Sequence, residues 1–318
     1  MPGERALRVL ITGARGFVGR HLTEMLRARG HDVVGADHGA GEELLLVDVG
    51  DPLAVRGAVE LVRPDAVAHL AAQAFVPASY EDPVHSFGVN AGGTLNVLEA
   101  VRAQAHERGS PRVLVVSSAD VYGAQPPSAY PLRETVLPRP KSPYAASKIA
   151  AESLAFAYAR SYGVDAVVAR PFNHVGAGQD PRFAVAAFAA QIAAVAAGGD
   201  PVVRVGNLET ARDILDVRDV CEAYALLLEG RGEAGEIYNI CSGTPTPMRE
   251  VLRRLIEIAH VAVEVREDTA RMRAVDVPVS VGDASKLRAA TGWAPRIPLT
   301  AALRAVYDDA RARVQVSL

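Results

Sequence analysis

Through the first 120 residues, short β-branched runs alternate with longer helical stretches, and no other feature constrains the fold as strongly. Residues 8–12 (RVLIT), 32–36 (DVVGA), 43–47 (ELLLV), 66–70 (AVAHL) and 113–117 (VLVVS) are strand-length and almost continuously apolar. Residues 19–29, 51–62 and 91–108 carry helical patterns between them. Strands that are apolar on both faces, each followed by a helix, belong in a parallel sheet covered on both sides, with right-handed crossovers. A helix to about residue 162 and a strand at 166–170 extend the series. Beyond Pro171 the texture changes: Gly, Pro and Asn cluster, and an Ala-rich helix follows at 184–197. The pattern predicts an α/β protein with a doubly wound sheet over residues 1–172 and a smaller, partly interleaved α/β lobe over 173–211 and 243–318. Residues 212–242 are expected to return to the larger lobe, with 213–229 as a helix and 236–240 as a strand. A chain of 318 residues can bury enough apolar surface to dispense with disulfides and structural metals.

The charge balance excludes some functions. Thirty-four basic residues against 37 acidic ones give a net charge of −3, with no general attraction to nucleic acid or anionic membrane. No apolar run reaches the ~20 residues of a membrane span, and the N-terminal residues lack a signal-peptide layout. Cys221 and Cys241 form no CxxC pair and read as buried thiols of a reducing, cytoplasmic compartment. The histidines show no metal-ligand spacing, so no metal is expected.

Between the first strand and its helix stands TGARGFVG. Gly13 permits a tight turn, Gly16 lets the backbone approach a pyrophosphate, and Gly19 lets helix and strand pack closely. The N–H groups of Phe17, Val18 and Gly19 then open the helix toward the phosphates. The strand–turn–helix context makes this a dinucleotide site of Rossmann type. Asp37, 18 residues after Gly19, can accept from the adenosine ribose and repel a 2′-phosphate. His38 follows it, where an NADP site more often presents Arg, so NAD(H) is favoured over NADP(H). Asp48 and Val49 end the third strand beside the expected adenine. Leu70, Ala71 and Ala72 end the fourth with small side chains that let the cofactor pass.

Tyr144 and Lys148 lie four residues apart at the start of a helix and so share one face. The chain uses 31 arginines and only three lysines, Lys141, Lys148 and Lys286, so a lysine at this position is informative. Its compact ammonium can contact both a ribose and a phenol, which the flat guanidinium fork cannot do. An unperturbed tyrosine titrates near ~10, and acting as a base near neutrality takes about three units, ~4 kcal/mol, of help. An adjacent ammonium is expected to supply it. Ser118, in the SSADVYG segment after the fifth strand, can polarise a carbonyl held against Tyr144 at the carboxyl edge of the sheet.

These segments, with HLAAQAFV, SPYAASK, ARPFNHVGAGQ, RDILDVRDV and TGWAP, resemble the extended short-chain dehydrogenase/reductase family in its nucleotide-sugar-modifying branch. They span almost the whole chain in the family's order. The resemblance implies a nicotinamide cofactor, a nucleoside diphosphate sugar, and Ser118, Tyr144 and Lys148 as catalytic triad. It implies that Asn90 supports the cofactor side of the site, and that Pro171 to Asn173 join nicotinamide to sugar phosphate. RPFNHVGAGQ and RMRAVDVPVSVGDASKL are most similar to GDP-mannose 4,6-dehydratases and GDP-4-keto-6-deoxy-D-mannose reductases. Asp120 stands where the dehydratase pattern has Glu, and Ala119 where the dTDP type has Asp. The shorter carboxylate is withdrawn by about one methylene, although a general base must come within ~3 Å of its proton. The stretch from Asp37 to Asp48 also lacks the dehydratases' Arg/Ser-rich insertion. The implied activity is therefore reduction of the 4-keto group of a GDP-4-keto-6-deoxyhexose, with 4-epimerase and GDP-mannose 4,6-dehydratase as alternatives. Arg212, Arg218, Arg271 and Arg273 are candidates for the diphosphate and base, Arg212 and Arg273 leading by motif position. Asp120 and Asn173 are candidates for the sugar. The resemblance also implies a homodimer, paired through the helices at 91–108 and 144–162.

Overall fold

The computed structural model describes residues 5–39, 41, 43–108, 110–272 and 277–317. Its first half runs β1 (Arg8–Thr12), α1 (Phe17–Ala28), β2 (Asp32–Asp37), β3 (Leu44–Leu46), α2 (Pro52–Val62), β4 (Ala66–His69), α3 (Val76–Glu81) and α4 (Pro83–Phe87). A π-helical turn, Gly88–Gly92, leads into α5 (Gly93–Arg108), then β5 (Arg112–Val116), α6 (Pro143–Tyr162) and β6 (Ala166–Pro171). The second half runs β7 (Asn173–Val175), α7 (Ala184–Ala196), β8 (Val202–Val205), β9 (Ala211–Asp216), α8 (Val217–Leu228) and β10 (Ile237–Ile240). It closes with β11 (Pro245–Pro247), α9 (Met248–Ala259), β12 (Glu264–Glu267), β13 (Val279–Ser280), α10 (Ser285–Thr291) and α11 (Leu299–Ser317).

Seven strands form one parallel sheet in the order β10-β6-β5-β4-β1-β2-β3. This is the doubly wound order of a Rossmann-type sheet with β10 added at one edge. Alternation along β1 explains the layering. Val9 and Ile11 enter the core beside α1 and α8, with Leu22, Leu26 and Tyr224. Leu10 points to the other face, onto Val59 of α2, Leu98 of α5 and Ala155 of α6. Each fully buried Leu, such as Leu22, contributes roughly 1.5–3 kcal/mol. The strands are therefore apolar on both sides, as the sequence predicted.

Local signals fix the helix starts. Asp51 accepts from Leu53 N at 2.8 Å and Ala54 N at 3.3 Å ahead of Pro52. Ser142 accepts from Ala145 N at 3.1 Å ahead of Pro143, and α6 ends at Gly163, φ +67°. The third core joins α7, α9 and α11 through Ile192, Leu255 and Leu303. It lies beside a second sheet in which β9 pairs antiparallel with β11 and parallel with β13 and β7.

One expected element is corrected. The helix expected over 213–229 begins only at Val217, and Asp213 to Asp216 belong to β9. Asp216 caps α8 by accepting from Arg218 N at 2.8 Å, so the chain turns from strand to helix with no Gly or Pro to announce it.

Candidate active site

The carboxyl ends of β1, β2, β4, β5 and β6 face one edge of the sheet, and the chemistry-bearing residues gather there. Gly13 has φ +72°, and a Cβ on it would stand 2.7 Å from Ala71 N. A Cβ on Gly19 would stand 2.3 Å from the Gly13 carbonyl. Gly16 is the N-cap of α1, and no side chain caps that helix. A turn in which Gly13 and Gly19 have no room for a side chain, opening into a helix start without a capping side chain, fits a diphosphate. Phe17 and Val18 are half-buried in the first turn. The Phe17 ring stacks on His174 of β7, centroids 6.1 Å apart at 8°, and thereby joins the phosphate loop to the second sheet.

Asp37 is buried at the end of β2, where it accepts from Arg15 N at 3.1 Å and Gly39 N at 3.3 Å. Asp48 is exposed and holds its own turn by accepting from Gly50 N at 2.8 Å. Val49 packs into the core on the α2 and α5 side. Leu70, Ala71 and Ala72 are half-buried after β4. Ala71 N donates to Thr12 Oγ1 at 3.3 Å, and that hydroxyl also lies 2.8 Å from His69 Nδ1. Asn90 sits in the π-helical turn, accepts from Gln73 N at 2.8 Å, and donates to Ser147 Oγ at 2.9 Å. Ser147 Oγ in turn donates to Tyr144 O at 2.7 Å, so Asn90 is tied to α6 beside Tyr144.

Ser118, Tyr144 and Lys148 come together at this edge of the sheet. The Ser118 hydroxyl acts on the Tyr144 phenol from the turn after β5, and Ser118 Oγ accepts from Asp120 N at 3.1 Å. Lys148 is buried, donates to the Val116 carbonyl at 2.8 Å, and places Nζ 5.9 Å from the Tyr144 ring centroid.

The expected electrostatics need correction. Burial holds the Tyr144 phenol well above the usual tyrosine range, and the charge of Asp120 raises it further, against the Ser118 hydroxyl. The Lys148 ammonium is itself lowered to about 8 by burial, with Glu152 opposing. Burial, aided by the Lys148 charge, pushes His69 down to about 3, so His69 is neutral.

The sugar-side candidates are spread along the second sheet. Pro171 ends β6 and is buried, and Asn173 opens β7, exposed and in register with Ile214. Arg212 Nη1 donates to Val277 O at 2.7 Å and Ala211 O at 3.0 Å. Arg218 is bidentate to Asp216, at 2.9 and 2.8 Å, which turns its guanidinium to its own helix cap. Arg271 pairs with Asp268 at 3.3 Å, and Arg273 lies outside the described residues.

Sequence reasoning missed a buried polar cluster under the triad: Ser117, Glu152, Arg170, Tyr122 and Asn239. The available signal was spacing, since Glu152 lies four residues after Lys148 and eight after Tyr144.

Residues 9–241 match the NAD dependent epimerase/dehydratase family. The chain belongs to that family. It is 41% identical over 310 residues to GDP-6-deoxy-D-mannose reductase of Pseudomonas aeruginosa, covering 97% of this chain and 98% of the relative. The solved structure of RMD from Pseudomonas aeruginosa complexed with NADPH superposes with a TM-score of 0.87 at 39% identity, covering 97% of this chain and 100% of that one. UDP-glucose 4-epimerase of Thermus thermophilus complexed with NAD gives 0.84 at 37%, covering 96% and 99%. The expected family and the Rossmann-type α/β architecture are thereby borne out.

Proposed function

We propose that the chain reduces the 4-keto group of a GDP-4-keto-6-deoxyhexose. The observation that carries this reading is the meeting of Ser118, Tyr144 and the buried Lys148 at the carboxyl edge of the sheet, with burial holding the Tyr144 phenol in its protonated, donor form. A reductase needs a proton donor at the substrate oxygen, whereas a 4-epimerase or dehydratase begins by taking a proton from the C4 hydroxyl. Asp120 is a second support: its charge opposes the phenolate and so favours the donor form. The extent of likeness to the Pseudomonas GDP-6-deoxy-D-mannose reductase supports the same substrate class.

NADH or NADPH, when bound, supplies the hydride. The turn of Gly13, Gly16 and Gly19 with the start of α1 would hold its diphosphate, and Leu70, Ala71, Ala72, Asn90 and Pro171 would line its path. In this reading Ser118 orients the C4 oxygen, Tyr144 delivers the proton to it, and Lys148 holds the nicotinamide ribose. Asp120 and Asn173 face the sugar, and Arg212 serves the diphosphate. NAD(H) is favoured by the buried Asp37 carboxylate at the ribose position. Arg15 stands on the same rim, its guanidinium 2.6 Å from where a Gly39 Cβ would lie, a cation placed to admit a 2′-phosphate as well. A homodimer fits the exposed apolar side chains of Val84, Phe87 and Leu95 on α4 and α5, which are 81, 51 and 37% exposed. A cytoplasmic setting fits the two buried free thiols.

The test is to supply GDP-4-keto-6-deoxymannose with NADH or NADPH and follow loss of reductant absorbance. Consumption by the wild type and none by Tyr144→Phe, with GDP-sugar binding retained, is the expected result. Conversion of GDP-mannose or a UDP-hexose with no added reductant, and no reductant consumption, would sink the reading in favour of a dehydratase or epimerase.

A further inference from the structure

Directly beneath the reacting side chains lies an ion pair that the proposed chemistry does not use. Glu152 and Arg170 are each 3% exposed. Arg170 donates from Nε to Glu152 Oε1 at 2.7 Å and from Nη2 to Oε2 at 2.6 Å, and Ser117 Oγ donates to the same Oε1. Arg170 Nη1 donates to Tyr122 OH at 2.9 Å, which donates to Asn239 Oδ1 at 2.8 Å, and Asn239 Nδ2 donates to Leu132 O at 2.9 Å. The cluster thus joins the segments that carry Ser118, Lys148 and Pro171. Ser117 precedes Ser118, Glu152 follows Lys148 by one turn of α6, Arg170 precedes Pro171, and Asn239 belongs to the edge strand β10.

A buried ion pair is a poor way to gain stability, because apolar residues of similar volume often do as well or better. Its place in the fold points to another role. We propose that Glu152, gripped by Arg170 and Ser117, is a positioning residue: it fixes Ser118 against Tyr144 and supplies the negative charge that balances the buried Lys148 ammonium. The inference rests on the reading of Ser118, Tyr144 and Lys148 as the catalytic centre. Around Lys148 stand His69 from β4, the Val116 carbonyl from β5, Tyr144 and Glu152 from α6, and Asp120 from the turn after β5, the last acting on Tyr144. His69 is neutral and Tyr144 protonated, and Glu152 is the group whose charge sustains the ammonium against burial.

The test reads pH profiles of reduced-cofactor binding, by nicotinamide fluorescence, alongside kcat. In Glu152→Gln the alkaline limb of binding, where Lys148 loses its proton, should move about one pH unit toward acid, and kcat at pH 7 should fall at least tenfold. Ser117→Ala breaks the tether but keeps the charge, so kcat should fall with the limb unmoved. Should Glu152→Gln fail to fold, Arg170→Lys keeps both charges and loosens the two-pronged grip on Glu152, so kcat must fall with the limb unmoved. A limb that coincides with wild type in Glu152→Gln, wild-type kcat in both Ser117→Ala and Arg170→Lys, or a wild type with no alkaline limb, overturns the proposal. Fluorescence binding needs no sugar, so a shifted limb with no turnover of the keto sugar would refute the substrate reading and leave this one standing.

Discussion

Gly19 offers a direct test of the diphosphate cradle. An alanine Cβ there would lie 2.3 Å from the Gly13 carbonyl oxygen and 2.7 Å from that of Ala14, where ordinary contact begins near 3.4 Å. Both obstacles are backbone, so no rotamer change relieves them. The loop and the start of α1 must part by about 1 Å in a close-packed interior. Overpacking of this size costs about 1–3 kcal/mol of stability, too little to unfold a chain with three substantial cores. A misplacement of ~1 Å in a pre-organised site, however, costs on the order of 100-fold. In binding terms that is ~2.8 kcal/mol. Gly19→Ala should therefore lower the melting temperature modestly and weaken NADH binding about 100-fold in a fluorescence titration. Gly57→Ala is the control: its Cβ meets nothing within 4 Å in the middle of α2, and it should gain ~0.5–1 kcal/mol with binding unchanged. Wild-type affinity in Gly19→Ala would refute the assignment of this turn to the cofactor.

Other expectations follow from the site's charges and the surface. Lys148 falls from the usual 10.5 to about 8 on burial, so the native state binds that proton more weakly than the unfolded chain. The penalty is complete below pH 8 and relieved as pH rises toward 10.5. Lys148→Met should thus abolish turnover yet stabilise the fold at pH 7 by up to about 3 kcal/mol, the gain fading toward alkaline pH in denaturant titrations. Asp37→Ala should move the ratio of kcat/KM toward NADPH, and Arg15→Ala should lose NADPH activity while sparing NADH; steady-state kinetics with both coenzymes decide. Val84→Glu and Phe87→Glu should convert a dimer to a monomer in light scattering at unchanged secondary structure.

The first half of the fold was legible because its strands are buried on both faces, which writes itself as unbroken apolar runs such as RVLIT. The second half was less so. β7, β11 and β13 are only two or three residues long and carry no period, and helical spacing runs back through ILDVRDV into what is strand. Asp216, the cap, was the available signal. At the site, Tyr144 and Lys148 were legible from their i, i+4 spacing, but the burial that holds the phenol protonated was not. Nor was the partner of Lys148 Nζ, the Val116 carbonyl. The Glu152–Arg170 pair stayed hidden because it joins residues 18 apart through an Ala-rich helix with no amphipathic stripe.

The edge strand β10 has a consequence for the chain's modularity. It is added to the parallel sheet only after the chain has left to build β7, α7, β8 and β9, and α8 packs against α1 on that return. A fragment ending at Phe172 would leave β6 as a bare sheet edge, deprive Tyr122 of Asn239, and uncover Leu22 and Leu26. The nucleotide-binding part is therefore not an excisable cassette. Lobes from different relatives cannot be exchanged at a single junction: a working chimera needs its joints on both sides of the α8–β10 segment as well as after β6.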